Sequence, residues 1–343
     1  MSNVTLIGLD LAKNLFQICG INRAGKIVFN RKVTRRQLLP SLLNHPHALV
    51  AMEACGSSQH WARELIANGM HVKLIPAQHV KAFLRGNKND AQDALAIAEA
   101  SQRPQLHEVG VKSLQQQDIQ TLLRIRKRYK NSRIECVNQT RGLLGEYGIT
   151  LAKGIQNLDR CIPGILEDAT NTLTPLARQA IAQLYHDYRT LTQQITASEK
   201  QLAQLVNTLP LCQSLMQLRG IGVITAMALF ASVNNPQQFR NGRQFAAWLG
   251  LVPKQFGTGG NVTLSGISKR GSRDLRTLLI HGARTVMRWL DKHDDAFSQW
   301  SKQLIARRGK HKAIVAMANK IARHVWVAMT KGIQYVSPCH IAA

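Results

Sequence analysis

Asp90 and Asp93 open a stretch, Asn89-Asp90-Ala91-Gln92-Asp93-Ala94, that runs on through Leu95-Ala96-Ile97-Ala98-Glu99-Ala100 without a helix breaker. In a helix the two carboxylates share one face, where like charges repel. Acids in a first turn also answer orphan N–H groups and the helix dipole. Aimed at one spot beside apolar Leu95, Ile97 and Ala98, however, they are what a hard divalent cation takes from a protein. Two further acids bear on the choice. Val4-Thr5-Leu6-Ile7-Gly8-Leu9-Asp10 is an apolar run that ends in an acid, and strand alternation puts Asp10 on the face of Leu6 and Gly8. Ala48-Leu49-Val50-Ala51-Met52-Glu53 ends the same way. Together Asp10, Glu53, Asp90 and Asp93 would bind one or two Mg²⁺ ions, which orient a phosphodiester and stabilise its attacking and leaving oxygens.

The elements that position these acids are legible in the pattern. Leu15 to Asn22 and Lys26 to Val33 read as strands joined by the hairpin signal Asn22-Arg23-Ala24-Gly25. A short helix covers Arg35 to Leu43. After the strand ending at Glu53, Ser57 or Ser58 caps a helix through Trp61, Leu65 and Ile66 that stops at Gly69. His71 to Pro76 is a further strand, succeeded by the helix of Asp90 and Asp93. This order predicts an α/β ribonuclease H-like domain over residues 1–103: a mixed sheet flanked by helices, with acids on the first strand, a central strand and a late helix.

From Pro104 the character changes. Lys112 to Tyr147 and Leu176 to Val206 are long helical segments, and residues 104–207 read as a helical coiled-coil arm. Its seam is Leu176, Ala180, Leu184, Tyr188, Leu191, Ile195, Leu202 and Leu205. Gly148 to Thr174 reads as the turn between the two arms. Arg124, Arg126, Lys127, Arg128, Lys130 and Arg133 form a basic run, either a solvated face or a surface that tracks phosphates.

Residues 208–343 read as a mainly α C-terminal domain. Between Glu199 and Asp274 the chain carries no acid. Leu218-Arg219-Gly220-Ile221-Gly222-Val223 has the form of a helix-hairpin-helix turn, in which Gly220 and Gly222 let backbone N–H groups approach a phosphate. Val252 to Gly260 and Leu264 to Ser272 are rich in glycine, hydroxyls and basic groups, as a flexible surface loop or one that brings a hydroxyl to a phosphate would be. Arg273 to Leu290 is an amphipathic helix with Leu275, Leu278, Leu279, Val286 and Trp289 inward and Arg276, Arg284 and Arg288 on a ladder. Lys269, Arg270, Arg273 and Arg276 are therefore candidate nucleic-acid contacts beside Arg124, Arg126, Lys127 and Arg128. Arg307 to Lys312 reads as a basic loop, Ala313 to Met329 as a last helix, and the residues after Gly332 as disordered.

Composition agrees with a polyanion partner. The 343 residues carry a formal net charge of +26 and 45% apolar side chains, enough for a core and two or three domains. No apolar run reaches the roughly 18 residues of a membrane span, so no membrane partner is expected. Met1-Ser2-Asn3-Val4 lacks a basic leader, so no signal peptide is expected. Six cysteines without CxxC spacing suggest reduced thiols in the cytoplasm rather than a zinc site.

Four motifs carry a resemblance. Gly8-Leu9-Asp10-Leu11-Ala12-Lys13, Met52-Glu53-Ala54-Cys55, Asn87-Lys88-Asn89-Asp90-Ala91-Gln92-Asp93-Ala94 and Ile267-Ser268-Lys269-Arg270-Gly271 resemble the DEDD transposases of bacterial insertion sequences, in the right order from about residue 4 to about residue 300. The resemblance implies a RuvC-like nuclease domain whose acids are Asp10, Glu53, Asp90 and Asp93, a coiled-coil arm, and a C-terminal domain with a nucleophilic serine. It also implies an oligomer (dimer or tetramer) acting on donor and target double-stranded DNA and guided by a structured RNA. Where the family has serine before the glycine of its Gly-rich loop, this chain has Thr258; Ser265 is the second candidate. The rival expectations are a RuvC-type endonuclease that hydrolyses DNA and a non-catalytic nucleic-acid scaffold.

Overall fold

Strand β1 (Val4–Asp10) is apolar along nearly its whole length because both of its faces are covered. The computed structural model describes residues 4–84, 89–104, 106 and 108–331, and the chain divides into two compact units, Met1–Ser113 and Leu114–Ala343.

In the first unit β1 pairs antiparallel with β2 (Leu15–Asn22), which pairs antiparallel with β3 (Ile27–Thr34). After α1 (Arg35–Leu43), β4 (Leu49–Glu53) lies parallel to β1; after α2 (Ser58–Ala67), β5 (His71–Ile75) lies parallel to β4. The sheet order is β3-β2-β1-β4-β5. Short α3 (Ala77–Val80) leads towards α4 (Asp90–Ser101). Ile7, Leu9, Phe16, Val50 and Met52 pack with Leu38, Trp61 and Leu65 on one face. On the other, Leu6, Cys19 and Ala51 pack with Ala94, Ile97 and Ala98 of α4. This mixed sheet with helices on both faces is compatible with the ribonuclease H-like arrangement.

The second unit is mostly helical. α5 (Leu114–Glu146) and α7 (Pro175–Val206) share a core built from Cys136, Val137, Leu144, Ile181 and Tyr188. Four of the five buried residues of α7 step by sevens, Ile181, Tyr188, Ile195 and Leu202, with Val206 one turn further, while Leu176 and Ala180 of the expected seam are exposed. The segment expected as a plain turn, Gly148 to Thr174, contains α6 (Asn157–Glu167), whose Leu158 and Ile162 are buried in the same core.

The arm is not separate from the C-terminal helices. Ile119, Leu202 and Val206 belong to one core with α8 (Pro210–Met216), α9 (Val223–Ser232), α10 (Gly242–Trp248), α11 (Arg273–Arg288) and α13 (Lys310–Lys331). That shared core is why residues 114–331 cluster together rather than dividing near residue 207.

Three further expectations change. The Gly-rich stretch is a hairpin, β6 (Pro253–Thr258) and β7 (Asn261–Ile267), closed by Gly259 and Gly260 at φ 58° and 84°; two positive φ values in a two-residue turn suit the twist of antiparallel strands. The basic loop expected at Arg307 to Lys312 is the junction of α12 (Ala296–Arg308) and α13, broken by Gly309 at φ 76°. On α11, Leu275, Leu279 and Val286 are buried and Arg284 and Arg288 exposed as expected, but Trp289 beyond its end is 50% exposed and Arg276 is buried. The stretch after Gly332 lies outside the described residues.

α12 is held by charge. Asp295 caps it, accepting from the Phe297 and Ser298 backbone N–H groups, and takes an ion pair from Arg219. Burial alone would raise its pKa, but hydrogen bonds from Arg219 and Ser298 outweigh burial and hold the carboxyl at about 2. A carboxyl depressed below its ordinary 3.8 gives stability that is present above that value and is lost as pH falls through about 2. The difference in unfolding free energy between the unaltered chain and Asp295→Asn should therefore be constant above about pH 5 and shrink progressively below about pH 4. A difference that stays level from pH 5 to pH 3 in urea titrations would contradict it.

Candidate active site

Register places the first two acids side by side. Leu9 of β1 is paired with Met52 of the parallel strand β4, so Asp10 and Glu53, the next residues, leave the sheet at the same end. Both keep the alternation of Leu6 and Ala51 and so belong to the face covered by α4. Asn89 starts α4, its side chain accepting from the Ala91 N–H at 2.9 Å, which puts Asp90 and Asp93 in the first turn.

Gly8 sets how closely α4 approaches. A Cβ at this position would lie 2.1 Å from the Ala94 carbonyl oxygen and 2.9 Å from the Ala98 Cβ. A helix backbone seated directly on β1 brings its first turn over the end of that strand. Polar groups fix the approach from the other side. Gln17, opposite Asp10 in the β1–β2 register, donates to Asn30 at 2.6 Å, and Asn30 donates to the Ala91 carbonyl at 3.0 Å. Lys32 forms an ion pair with Asp90 at 3.3 Å. The sequence pattern assigned no role at the site to Gly8, Gln17, Asn30 or Lys32. The one legible signal was Gln17, a buried amide inside the apolar run Leu15 to Ile21.

The electrostatics ties the four acids together. Burial, then the charges of Asp93, Asp90 and Glu53, push the Asp10 carboxyl up to about 6. One carboxylate oxygen of Asp93 is buried without a hydrogen-bond partner, an arrangement that costs free energy unless something fills it. Among the described residues no three His, Cys, Asp or Glu side chains converge tightly enough to hold a metal ion. The acids thus share a face and a field without ligand geometry. All-oxygen anionic donors, mutual repulsion and an orphaned buried oxygen are the chemistry that fits Mg²⁺.

The C-terminal candidates separate. Thr258 ends β6 beside the hairpin turn and is exposed, opposite Asn261. Ser265 lies where the pairing shifts between Pro253 and Gln255, about 13 Å down the ribbon by strand rise. The two hydroxyls therefore occupy different ends of the hairpin. At its base the chain is tightly packed: a Cβ on Gly250 would lie 2.1 Å from the Arg270 carbonyl, and one on Gly271 2.0 Å from that of Trp248. Arg276 donates to the Leu249 and Arg270 carbonyls, both at 3.1 Å. Its burial removes it from the expected phosphate contacts and makes it the clamp of the hairpin root, while Lys269, Arg270 and Arg273 are exposed.

The other basic candidates also differ among themselves. Arg124 and Arg128 are exposed; Arg126 is paired with Glu199, and Lys127 with Asp274 at 2.6 Å. Gly220, at φ 83°, packs against Gly282 of α11, so close contact with the helix rather than room for a phosphate accounts for it. Gly222 caps α9 with open space where a Cβ would be.

Asp10 should titrate near pH 6 in the metal-free protein, monitored by carboxyl ¹³C NMR, and Asp93→Asn should lower that value by removing a neighbouring negative charge. Because the folded value exceeds the ordinary 3.8, this group's contribution to stability falls as pH rises from about 4 through about 6. A titration at the ordinary carboxylate value would mean that the acids do not share a field.

Comparison with known proteins identifies the family of the chain. A family of DEDD transposases of the IS110 type matches residues 7–149, and the Transposase IS116/IS110/IS902 family matches residues 212–299. The chain is 41% identical to the transposase for insertion sequence element IS1111A of Coxiella burnetii, over 98% of this chain and 92% of the relative. It is 42% identical to a probable family 20 transposase of Pseudomonas aeruginosa, over 97% and 99%. With the transposase for insertion sequence element IS1328 of Yersinia enterocolitica it shares 36% identity over 97% and 98%.

Proposed function

As a member of the DEDD transposase family of insertion sequences, the chain is a transposase, a DNA recombinase, and we propose that it cuts and rejoins DNA with its four acids and a C-terminal hydroxyl. The observation that carries this reading is the register that sets Asp10 beside Glu53 at the ends of β1 and β4, on the face covered by α4, whose first turn carries Asp90 and Asp93.

Asp10, Glu53, Asp90 and Asp93 would hold one or two Mg²⁺ ions, which supply charge stabilisation to the phosphoryl oxygens. Lys32, already at Asp90, balances charge at the rim of the site. The Thr258 hydroxyl attacks phosphorus and displaces a deoxyribose hydroxyl, so one P–O bond forms as another breaks. Rejoining reverses this step with a different deoxyribose hydroxyl as the attacking group. The exposed position of Thr258 at a tight turn supports the assignment, since the tip of a ribbon can reach into a DNA groove.

Charge supports a nucleic-acid partner, and the family supports DNA. Donor and target double-stranded DNA are held by Arg124, Lys127, Arg128, Lys269, Arg270 and Arg273, with α9 contributing N–H groups beyond Gly222. A structured guide RNA supplies sequence recognition, and the active form is a dimer or tetramer in the cytoplasm. No helix among the described residues is long and apolar enough to cross a membrane.

Asp10→Asn, Glu53→Gln and Asp93→Asn should abolish strand cleavage while DNA binding stays within a few-fold, because each removes a charge without removing bulk. Thr258→Ser should keep or raise formation of a denaturation-resistant protein–DNA adduct, and Thr258→Val should stop it; general-base activation of a hydroxyl is worth ~10²–10⁴-fold. Cleavage at the full rate by an Asp10 or Asp93 variant would remove the acids from the mechanism. An adduct that survives Thr258→Val and is lost in Ser265→Ala would move the nucleophile down the hairpin. Cleavage with no adduct in any variant would establish hydrolysis.

A further inference from the structure

α5, α9 and α11 enclose a cleft of about 440 Å³ whose two parts have opposite character. Its floor is aliphatic, with Ile224 and Leu278 half-buried, and exposed Ile134 stands at its edge. Its rim is cationic, with Arg124, Arg126, Lys127 and Lys130 along one side of α5. A surface that only tracks a nucleic-acid backbone needs the cations alone. Aliphatic side chains left open to water at the bottom of a cleft mark a place where something apolar is received. The rim is already arranged for an oxyanion, since Lys127 holds a carboxylate oxygen of Asp274 at 2.6 Å across the mouth. Lys130 is crowded as well: burial, then Arg126, lower its pKa, a cost that an incoming anion would relieve.

We propose that this cleft receives one unstacked nucleotide of a single-stranded nucleic acid, with its base on the aliphatic floor and its phosphate on the rim. The occupant must be anionic at one end and flat and weakly polar at the other, and must fit a volume suited to one residue of a strand. The inference rests on the reading of the chain as a nucleic-acid recombinase and adds a base pocket to the backbone contacts of its exposed Arg and Lys side chains. A recombinase opens duplexes as it exchanges strands, and a pocket that holds a displaced base would keep the opened strand from re-pairing.

The test uses the full chain and two probes of equal length and charge, an oligodeoxythymidylate and the same strand with abasic residues. The base-bearing probe should bind on the order of tenfold more tightly, because burying a base against aliphatic side chains adds to the electrostatic attraction. Ser232→Leu and Thr277→Leu, which add bulk to the cleft from α9 and from α11, should each erase that preference while leaving abasic binding unchanged. Thr277 is exposed, so its variant tests the idea even where the half-buried Ser232 costs stability in a thermal melt. Lys130→Gln should weaken both probes and reduce the salt slope by roughly 0.7. Asp274→Asn should tighten both by freeing Lys127. An oligouridylate arm, with and without bases, identifies whether RNA or DNA is the preferred strand. Equal affinity for base-bearing and abasic strands, or a preference that survives both narrowing variants, would overturn the pocket. Either result leaves the Asp10→Asn cleavage test untouched, so failure here is separable from failure of the recombinase reading.

Discussion

The first unit depends on one close contact, that of the α4 backbone with β1 at Gly8. Any side chain there would meet the Ala94 carbonyl oxygen at 2.1 Å, and forcing such an overlap typically costs about 1–3 kcal/mol or moves the helix. The absent side chain lets α4 lie directly on the sheet, where Ala94, Ile97 and Ala98 become core. The same seating carries the first turn of the helix over the ends of β1 and β4. Four carboxylates are thereby brought to one edge of the sheet, where Lys32 pairs with Asp90. Packing energy is thus used to assemble a group that repels itself, and burial together with those neighbouring charges raises the Asp10 pKa.

In the second unit, too, the missing side chains of glycines let backbones meet. Gly250 and Gly271 allow the root of the hairpin to press against the end of α10, and buried Arg276 ties both strands of that root together through carbonyl oxygens. Lys269, at φ 55°, takes a left-handed conformation that a non-glycine residue adopts only under constraint. The exposed ribbon is therefore anchored at a rigid base, and Thr258 is carried at its far end. Gly220 and Gly282 make a similar contact between the turn before α9 and α11.

Much of the first unit was legible because its signals are local. Apolar runs ending in Asp10 and Glu53, the Asn22–Gly25 turn and the paired acids that open α4 each name their element within a few residues. The polar chain from Gln17 through Asn30 to Ala91 was not legible, since it joins residues 61 positions apart that share no pattern. The C-terminal part was read less well. Glycine and hydroxyl content marks a loop and a hairpin alike, and only the pairing of Phe256 with Thr263 and Gly257 with Val262 distinguishes them. α6 was missed because Pro163 and Gly164 look like a turn, although Leu158 and Ile162 supply core. Arg276 sits on a helical ladder with Arg284 and Arg288, and spacing alone does not reveal that its guanidinium is claimed by carbonyls.

The central claim is that Asp10, Glu53, Asp90 and Asp93 form one cation site, although among the described residues no three of them converge tightly enough to hold an ion. The direct measurement is binding of Mn²⁺, a paramagnetic substitute for Mg²⁺, detected by electron paramagnetic resonance with the full chain and cognate duplex DNA. The unaltered protein should take up one or two ions, and Asp10→Asn, Glu53→Gln and Asp93→Asn should each remove at least one while Thr258→Val removes none. Ion binding that is unchanged when Asp10 and Asp93 lose their charge would contradict the site.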